Sequence, residues 1–389
     1  MMTPDNARRT LGLYLHIPFC LRKCYYCDFC SAHADADTRA AYVNALCRHL
    51  EAAAPAARGI TVESVYFGGG TPTLLQTVDF MQIMRTVRAH FDLDAHAEVT
   101  SECNPVTNAA GLFEGLLEAG VNRLSIGLQS VHENELRLLG RLHTFADFLA
   151  TYDAARRAGF RNINADVMFG IPAQTLASLA NTLNTLCDLS PEHISAYGLR
   201  IEEGTPFWER KNSLPLPDED TEADMADLVA STLEKRGYER YEISNYARNG
   251  YYSRHNLRYW LGEDYLGFGP AAHSFFGGVR FAAPPDTAAY ISAVQKGDFE
   301  ALAADRHTVG DKERREEYVM LRMRLAQGVD KNDFKRHFGL SFKEAYGDLS
   351  ALVSGGFLKN EKDRVAFTAR GMQVSNAILS EWLDFGGVS

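Results

Sequence analysis

Six short apolar, β-branched runs alternate with helix-period segments over the first two hundred residues, and this alternation restricts the fold more than any other feature. The strand candidates are 13–17, 64–67, 97–101, 123–128, 164–169 and 194–199. The helix candidates between them are 38–53, 77–91, 108–119, 145–158 and 176–186. Gly120 and Gly159 stand where two of these helices should end, as C-terminal caps. Consecutive β/α units build a parallel sheet with helical crossovers. Six units fall short of the eight that close a full barrel. The expected fold is therefore α/β, an open (β/α)6 partial barrel. Ligands of such sheets sit beyond the carboxyl ends of the strands, so any chemistry should be sought there.

The rest of the chain reads differently. Residues 211–220 (Lys-Asn-Ser-Leu-Pro-Leu-Pro-Asp-Glu-Asp) form a proline- and charge-rich break. A helix is predicted over 221–236, an extended segment and loop over 237–249, and an aromatic, glycine-rich region over 251–281. From about residue 311 the pattern is helical with charged faces, ending in a β-like piece at 364–367. The expected organisation is a barrel over 1–210, an extension over 211–305 and a small, mainly helical, winged domain over 306–389. A net charge of −10 weighs against a nucleic-acid binder with a general basic surface. No run of about 18 apolar residues occurs, so no transmembrane helix is expected. The first ten residues lack the apolar core of a signal peptide.

The first strand runs straight into His16-Ile17-Pro18-Phe19-Cys20-Leu21-Arg22-Lys23-Cys24-Tyr25-Tyr26-Cys27. Three cysteines thus share one short loop with the spacing C-x3-C-x2-C. A structural zinc site wants four ligands, usually in two separated pairs. A thioredoxin-like motif wants a single C-x-x-C pair. Three thiolates on one loop can hold three irons of a [4Fe–4S] cluster, whereas electron-transfer clusters normally have four cysteines. The spacing points to a fourth iron kept open for another molecule. Cys30, two residues beyond Cys27, is an alternative fourth thiolate, and zinc is the other alternative. An odd, clustered set of seven cysteines reads as metal ligation in a reducing compartment, the cytoplasm. Gly68-Gly69-Gly70-Thr71-Pro72 follows the second strand. Glycines there let a ligand approach the backbone, although a tight βα turn explains them equally.

Taken together, the first two hundred residues resemble the radical SAM superfamily, whose fold is an open (β/α)6 partial TIM barrel. In that family the open iron chelates the amino and carboxylate groups of S-adenosylmethionine (SAM), which is cleaved to a 5′-deoxyadenosyl radical. The resemblance implies Cys20, Cys24 and Cys27 as the [4Fe–4S] ligands. The run from Tyr14 to Cys20 is similar to the opening strand of the oxygen-independent coproporphyrinogen III oxidase group. That likeness implies further contacts to SAM: Tyr14 near the site, Tyr26 by the adenine, and Gly69, Gly70 and Thr71 along the methionine part. It also implies Glu102 at the third strand's end, Gln129 after the fourth, and Asp166 at the end of the fifth. Arg141 matches the partner of the SAM carboxylate, a role that suits a guanidinium fork. Strand-end caps or solvated charges explain any one of these residues alone. Their recurrence at successive strand ends favours one shared site.

Three departures separate the chain from the oxidases. Its extra cysteine, Cys30, stands one place later than theirs. Only about ten residues precede the first strand, where the oxidases carry a long arm. Arg200 replaces a small residue near their second SAM. The run His255-Asn256-Leu257-Arg258-Tyr259-Trp260 resembles instead the haem-binding signature, H-N-x-x-Y-W, of haem chaperones in the same group. Histidine is a common axial ligand of haem iron. Tyrosine and tryptophan offer flat apolar surface with a polar edge. A hydrogen-bonded structural histidine, with Tyr259 and Trp260 in the core, is the plain alternative. The resemblance implies a chaperone that binds haem through His255, Asn256, Tyr259 and Trp260 and passes it to respiratory haem proteins. It implies no nucleic-acid partner, and leaves open peripheral membrane contact, a monomer or a dimer, and cleavage of SAM. Oxidative decarboxylation of coproporphyrinogen III is the enzymatic alternative; haem degradation or methylation is a more distant one.

Overall fold

The computed structural model describes residues 9–105 and 111–383. Six strands lie side by side in chain order and run parallel: β1 (Thr10–Ile17), β2 (Thr61–Gly69), β3 (Asp92–Cys103), β4 (Arg123–Gln129), β5 (Ile163–Phe169) and β6 (His193–Gly198). Between them run α1 (Ala36–Ala53), α2 (Thr77–His90), α3 (Leu112–Ala119), α4 (Glu133–Leu138), α5 (Phe145–Ala158) and α6 (Leu176–Leu189). This is the open (β/α)6 partial barrel expected from the alternation. β3 starts earlier than its apolar stretch, because Asp92 and Leu93 already pair with Thr61 and Val62 before a shift in register. The predicted start of the third helix, at 108–110, lies outside the described residues.

Period-two alternation divides each strand between two environments. Leu11, Leu13, Leu15 and Ile17 of β1 point outward, into one core with Tyr42, Leu46 and Leu50 of α1 and Phe80, Ile83 and Val87 of α2. Each such side chain contributes about 1.5–3 kcal/mol on burial. The intervening Gly12, Tyr14 and His16 face the barrel interior, where polar groups can serve a ligand. Helix ends are fixed locally. Thr144 caps α5, its Oγ1 accepting from Asp147 N at 3.2 Å while the Asp147 carboxylate accepts from Thr144 N at 2.8 Å. Gly120 and Gly159 take the left-handed capping conformation, with φ of 98° and 119°.

Beyond the six units, the sheet grows at both edges. After α7 (Pro206–Arg210) and α8 (Glu219–Lys235), short β8 (Asn245–Ala247) adds antiparallel to β6, and β7 (Glu239–Arg240) adds antiparallel to β8. α9 (Arg254–Trp260) leads into β9 (Tyr265–Phe268), which pairs parallel to the far edge of β1. Antiparallel β10 (His273–Phe276), β11 (Val279–Ala282) and β12 (Ala304–Thr308) complete a twelve-stranded sheet. The aromatic, glycine-rich region is therefore sheet, including a seventh parallel strand that the sequence pattern did not suggest. Gly267 permits its close packing, since a Cβ there would stand 2.2 Å from the His273 carbonyl oxygen. Residues 311–383 pack round a separate apolar cluster that includes Val319, Met323, Phe334, Val365 and Ile378. Its helices, among them Asp311–Arg322 and Lys331–Phe338, flank a small antiparallel sheet of β13 (Val329–Asp330), β14 (Leu358–Asn360) and β15 (Arg364–Phe367).

Glu242 lies where this C-terminal cluster meets the sheet edge. It bridges to Leu325, and Ala326 N donates to Tyr241 O at 3.0 Å. The side chain is fully enclosed; Oε2 accepts from Ser244 N at 3.2 Å while Oε1 has no partner. Burial pushes its carboxyl up to about 7. The unfolded chain therefore releases this proton near the ordinary value of 4.5, while the folded chain holds it to about 7. The stability that Glu242 contributes is present below pH 4.5 and is lost as pH rises to 7. Glu242→Gln, which like protonated Glu leaves one polar atom unpaired, should match the unchanged chain at pH 4.5. At pH 8 it should be more stable by about 1–3 kcal/mol in urea unfolding. Equal pH slopes for the two proteins would contradict this.

Candidate functional site

A cavity of about 380 Å³ opens where the carboxyl ends of the parallel strands converge. Cys20, Cys24 and Cys27 line its wall together. Their loop is closed at its neck: Cys20 N donates to Ala32 O and Ala32 N to Pro18 O, both at 3.0 Å. His16 ties the loop's other end, its Nε2 donating to Cys30 O at 2.7 Å. Nδ1 is then left to accept from the Tyr14 hydroxyl at 3.1 Å, so the ring is neutral, as its burial also favours. Across the opening, Tyr25 N donates to Leu139 O at 3.1 Å and Arg22 Nη2 to Gly140 O at 2.9 Å, docking the loop beside Arg141. Tyr26 packs against a small apolar cluster that includes Leu139, Met168 and Phe207.

The strand-end glycines make this approach possible. A Cβ on Gly70 would stand 2.5 Å from Phe19 O and 2.9 Å from Ile17 O, and one on Gly69 would stand 2.5 Å from the His16 ring. Gly69 also has φ of 107°, a conformation natural to glycine. The amides here are already engaged: Gly69 N with Glu102, Gly70 N with Ile17 O, Thr71 N with Phe19 O. What this strand end can offer a ligand is close approach and acceptor oxygens. Glu102 Oε1 accepts from the Tyr66 hydroxyl and Oε2 from Gly69 N, both at 3.1 Å. Burial, and then the nearby Asp166 carboxyl, push Glu102 up to about 8. Burial raises Asp166 as well. Enclosure thus favours the neutral form of Glu102.

Arg141 is aimed by its neighbours. Nη2 donates to Gly127 O at 3.1 Å, Nη1 to Cys24 Sγ at 3.6 Å, and Nε to His143 Nδ1 at 3.3 Å. His143 Nε2 donates in turn to Leu128 O at 3.1 Å, which fixes the tautomer that accepts from Arg141. Burial disfavours the guanidinium, but the Tyr26 phenol and the Cys24 thiol outweigh it and raise the group above the usual arginine value. Gln129 has φ of 68° at a shift in the β4–β5 register, which turns its side chain into the cavity. Gly127 leaves room for both, since a Cβ there would meet Arg141 Nη2 at 2.9 Å and Gln129 Nε2 at 3.0 Å. Strain of this kind collects at binding sites.

Of the twelve residues expected at the cluster and SAM, eleven line the cavity. Tyr14 does not: His16 takes its hydroxyl, and its ring stacks on Tyr66 at 6.2 Å, so it sits one layer behind. Cys30 turns away, its thiol 3.4 Å from Pro285 O. Arg200 is exposed and lies off the cavity wall. Among the described residues, no three His, Cys, Asp or Glu side chains converge as ligands of a single metal ion. The three thiols line the same cavity, close enough for Cys24 and Cys20 to bear electrostatically on Cys27. Three sulfur donors suit an iron–sulfur cluster, whereas a structural zinc site takes four ligands.

The interior floor was not anticipated. Arg123, Ser125, Asn164, Ser195 and Tyr197 face inward from β4, β5 and β6. Asn164 Nδ2 donates to Ser125 Oγ and to Asp166 Oδ1, both at 2.7 Å, and Asn164 Oδ1 accepts from His193 Nδ1 at 2.6 Å. His193 Nε2 accepts from the Tyr241 hydroxyl at 2.7 Å. The signal was present as polar residues at every second position of strands that are otherwise apolar.

The His255–Trp260 run forms α9. His255 is 1 % exposed and both ring nitrogens are engaged, Nδ1 with Ser64 Oγ at 2.9 Å and Nε2 with the Tyr259 hydroxyl at 2.8 Å. Its ring stacks on Tyr66 at 5.2 Å, and burial holds it neutral, down at about 3. The expected ligand histidine therefore has no free nitrogen in this arrangement. Glu98 of β3 caps the helix, accepting from Arg254 N and His255 N at 3.1 and 3.0 Å. Asn256 alone of the four expected haem residues lines the cavity, so α9 forms part of its floor.

Comparison with known proteins places this architecture. Residues 14–186 match the Radical SAM superfamily and residues 310–374 the HemN C-terminal domain. The chain is 35% identical over 377 residues to Heme chaperone HemW of Bacillus subtilis, covering 95% of this chain and 98% of that one. It is 34% identical over 375 residues to Heme chaperone HemW of Escherichia coli, covering 96% and 98%. The solved structure of coproporphyrinogen III oxidase (HemN) from Escherichia coli shares the fold, with a TM-score of 0.84 at 24% identity over 97% of this chain and 92% of that one.

Proposed function

The chain belongs to the radical SAM superfamily and, within it, to the HemW family of heme chaperones, and on that premise we propose that it binds haem and delivers it to respiratory haem proteins. The observation that carries this reading is the likeness to heme chaperones over nearly the whole chain. In the proposed assignment, residues 1–210 hold a [4Fe–4S] cluster on Cys20, Cys24 and Cys27, with SAM beside it. Residues 211–305 carry the haem motif, and residues 306–389 form a further domain. The cluster with SAM bound would supply one-electron chemistry at the sulfonium. Arg141 would pair with the SAM carboxylate, while Glu102 would take up its positive charge by ionising. Gly69, Gly70 and Thr71 would admit the methionine part to the backbone, and Tyr26, Gln129 and Asp166 would position the rest. Tyr14 would act through His16 and the loop.

The likeness to heme chaperones over nearly the whole chain favours haem carriage over porphyrinogen oxidation. Haem would meet α9 through Trp260, which is partly exposed, while Tyr259 is packed against His255 and Tyr265. Ligation by His255 would require α9 to leave Ser64 and Glu98. No helix of the described residues is long and apolar enough to cross a membrane. The test is a haem titration and a coproporphyrinogen III turnover assay on the same anaerobically reconstituted protein. Saturable haem binding without turnover is the expected result.

A further inference from the structure

His255 is enclosed, so incoming haem needs another face to meet first. The rim of the cavity presents one. Phe29 is 57 % exposed, Leu21 48 % and Leu142 45 %. Phe29 lines the rim with Cys27, while Leu21 and Leu142 share a shallow depression with Cys24 and Thr71. Scattered exposed apolar residues are ordinary, but three beside two adjoining depressions that share Arg22, Cys24 and Thr71 make a binding surface. Arg22 and Lys23 stand in the same loop, both exposed and both on the rim. Arg22 uses one N–H on Gly140 O at 2.9 Å, which holds the guanidinium in place. Asp28 is the one acid in the loop from Cys20 to Cys30. Asp286 bears on Cys30 from outside the loop, but the loop itself carries two cations to one acid in a chain of net charge −10.

We infer that this rim is the docking surface for incoming haem. The inference rests on the haem-chaperone reading and adds the place of first contact. The apolar macrocycle lies against Phe29, Leu21 and Leu142, and its two propionates meet Arg22 and Lys23. A planar apolar dianion matches both features at once, whereas a purely apolar ligand would leave the cations unused. Docking here sets haem beside the loop that carries the cluster cysteines. Transfer to α9 is a later step.

Stopped-flow mixing of haem with the reconstituted full chain separates these steps. The surface double variant Lys23→Glu, Phe29→Ser should bind haem with an association rate about tenfold lower and with weaker dependence on salt. Its cluster iron content should be unchanged. His255→Ala should keep the association rate within about twofold while changing the final spectrum. Haem dimethyl ester, which lacks the propionate charge, should be indifferent to Lys23→Glu. An unchanged association rate in the double variant would overturn the docking site and leave the chaperone reading intact. Failure of the unchanged protein to take up haem would remove both.

Discussion

Anaerobic reconstitution of a Cys24→Ala variant should give protein without a [4Fe–4S] cluster, while Cys30→Ala should take up as much iron as the unchanged chain. The geometry separates the two thiols. Cys24 lines the cavity between Cys20 and Cys27 and receives Arg141 Nη1 at 3.6 Å. Cys30 faces Pro285 O, away from the cavity. If Cys20, Cys24 and Cys27 are the three protein ligands, as proposed, losing one would leave the cluster with two anchors. Cys24 sits on a loop outside the main cores, so the fold should survive, with stability changed by less than about 1 kcal/mol. Iron and sulfide analysis, with the cluster's visible absorption, reads the outcome directly. Full cluster content in Cys24→Ala, or its loss in Cys30→Ala, would mean the ligand set is drawn wrongly.

Gly70→Ala should be a strongly damaging single-methyl substitution at the cavity. The added Cβ would meet three backbone atoms, Phe19 O at 2.5 Å and Ile17 O and Phe19 N at 2.9 Å. No flexible side chain is there to yield. The neck of the cysteine loop must shift, which breaks or lengthens Gly70 N–Ile17 O (2.9 Å) and Thr71 N–Phe19 O (2.7 Å). Overpacking of this kind costs about 1–3 kcal/mol, and each disturbed hydrogen bond about 0.5–1.5 kcal/mol more. A total near 2–4 kcal/mol in urea unfolding is therefore expected. SAM affinity should fall by about tenfold or more, because cluster loop and cradle move together. Gly59→Ala is the control: it has positive φ but nothing within 4 Å of a Cβ, so it should leave SAM binding alone. Normal stability and SAM affinity in Gly70→Ala would show that the cradle is not rigid.

The barrel was legible because its signals are local. Each β/α unit carries its own apolar run, its helix period and, at Gly120 and Gly159, its own stop. The edge strands were not legible. β9 spans only Tyr265–Phe268 and pairs with residues 12–15, more than two hundred positions away, so no local pattern announces it. The site divides in the same way. The cysteines, Gly70 and Arg141 stand in compact motifs whose spacing carries the chemistry. Arg123, Asn164 and Ser195 are single polar residues in separate strands, and only the parallel register brings them to one floor. His143 was missed because its role is relational: it orients Arg141 through a hydrogen bond to Leu128 O. His255 shows the reverse limit. Its motif suggests an exposed ligand, but Ser64 and Tyr259 close both nitrogens, a contact between distant segments that spacing cannot reveal.

The central claim is that the cavity serves a chaperone that carries haem and does not oxidise porphyrinogen. Purified protein with its cluster reconstituted, incubated anaerobically with SAM, a reductant and coproporphyrinogen III, tests it most directly when the same preparation is also titrated with haem. Saturable haem binding near one per chain and no protoporphyrinogen IX are expected. Multiple turnovers to protoporphyrinogen IX would contradict it.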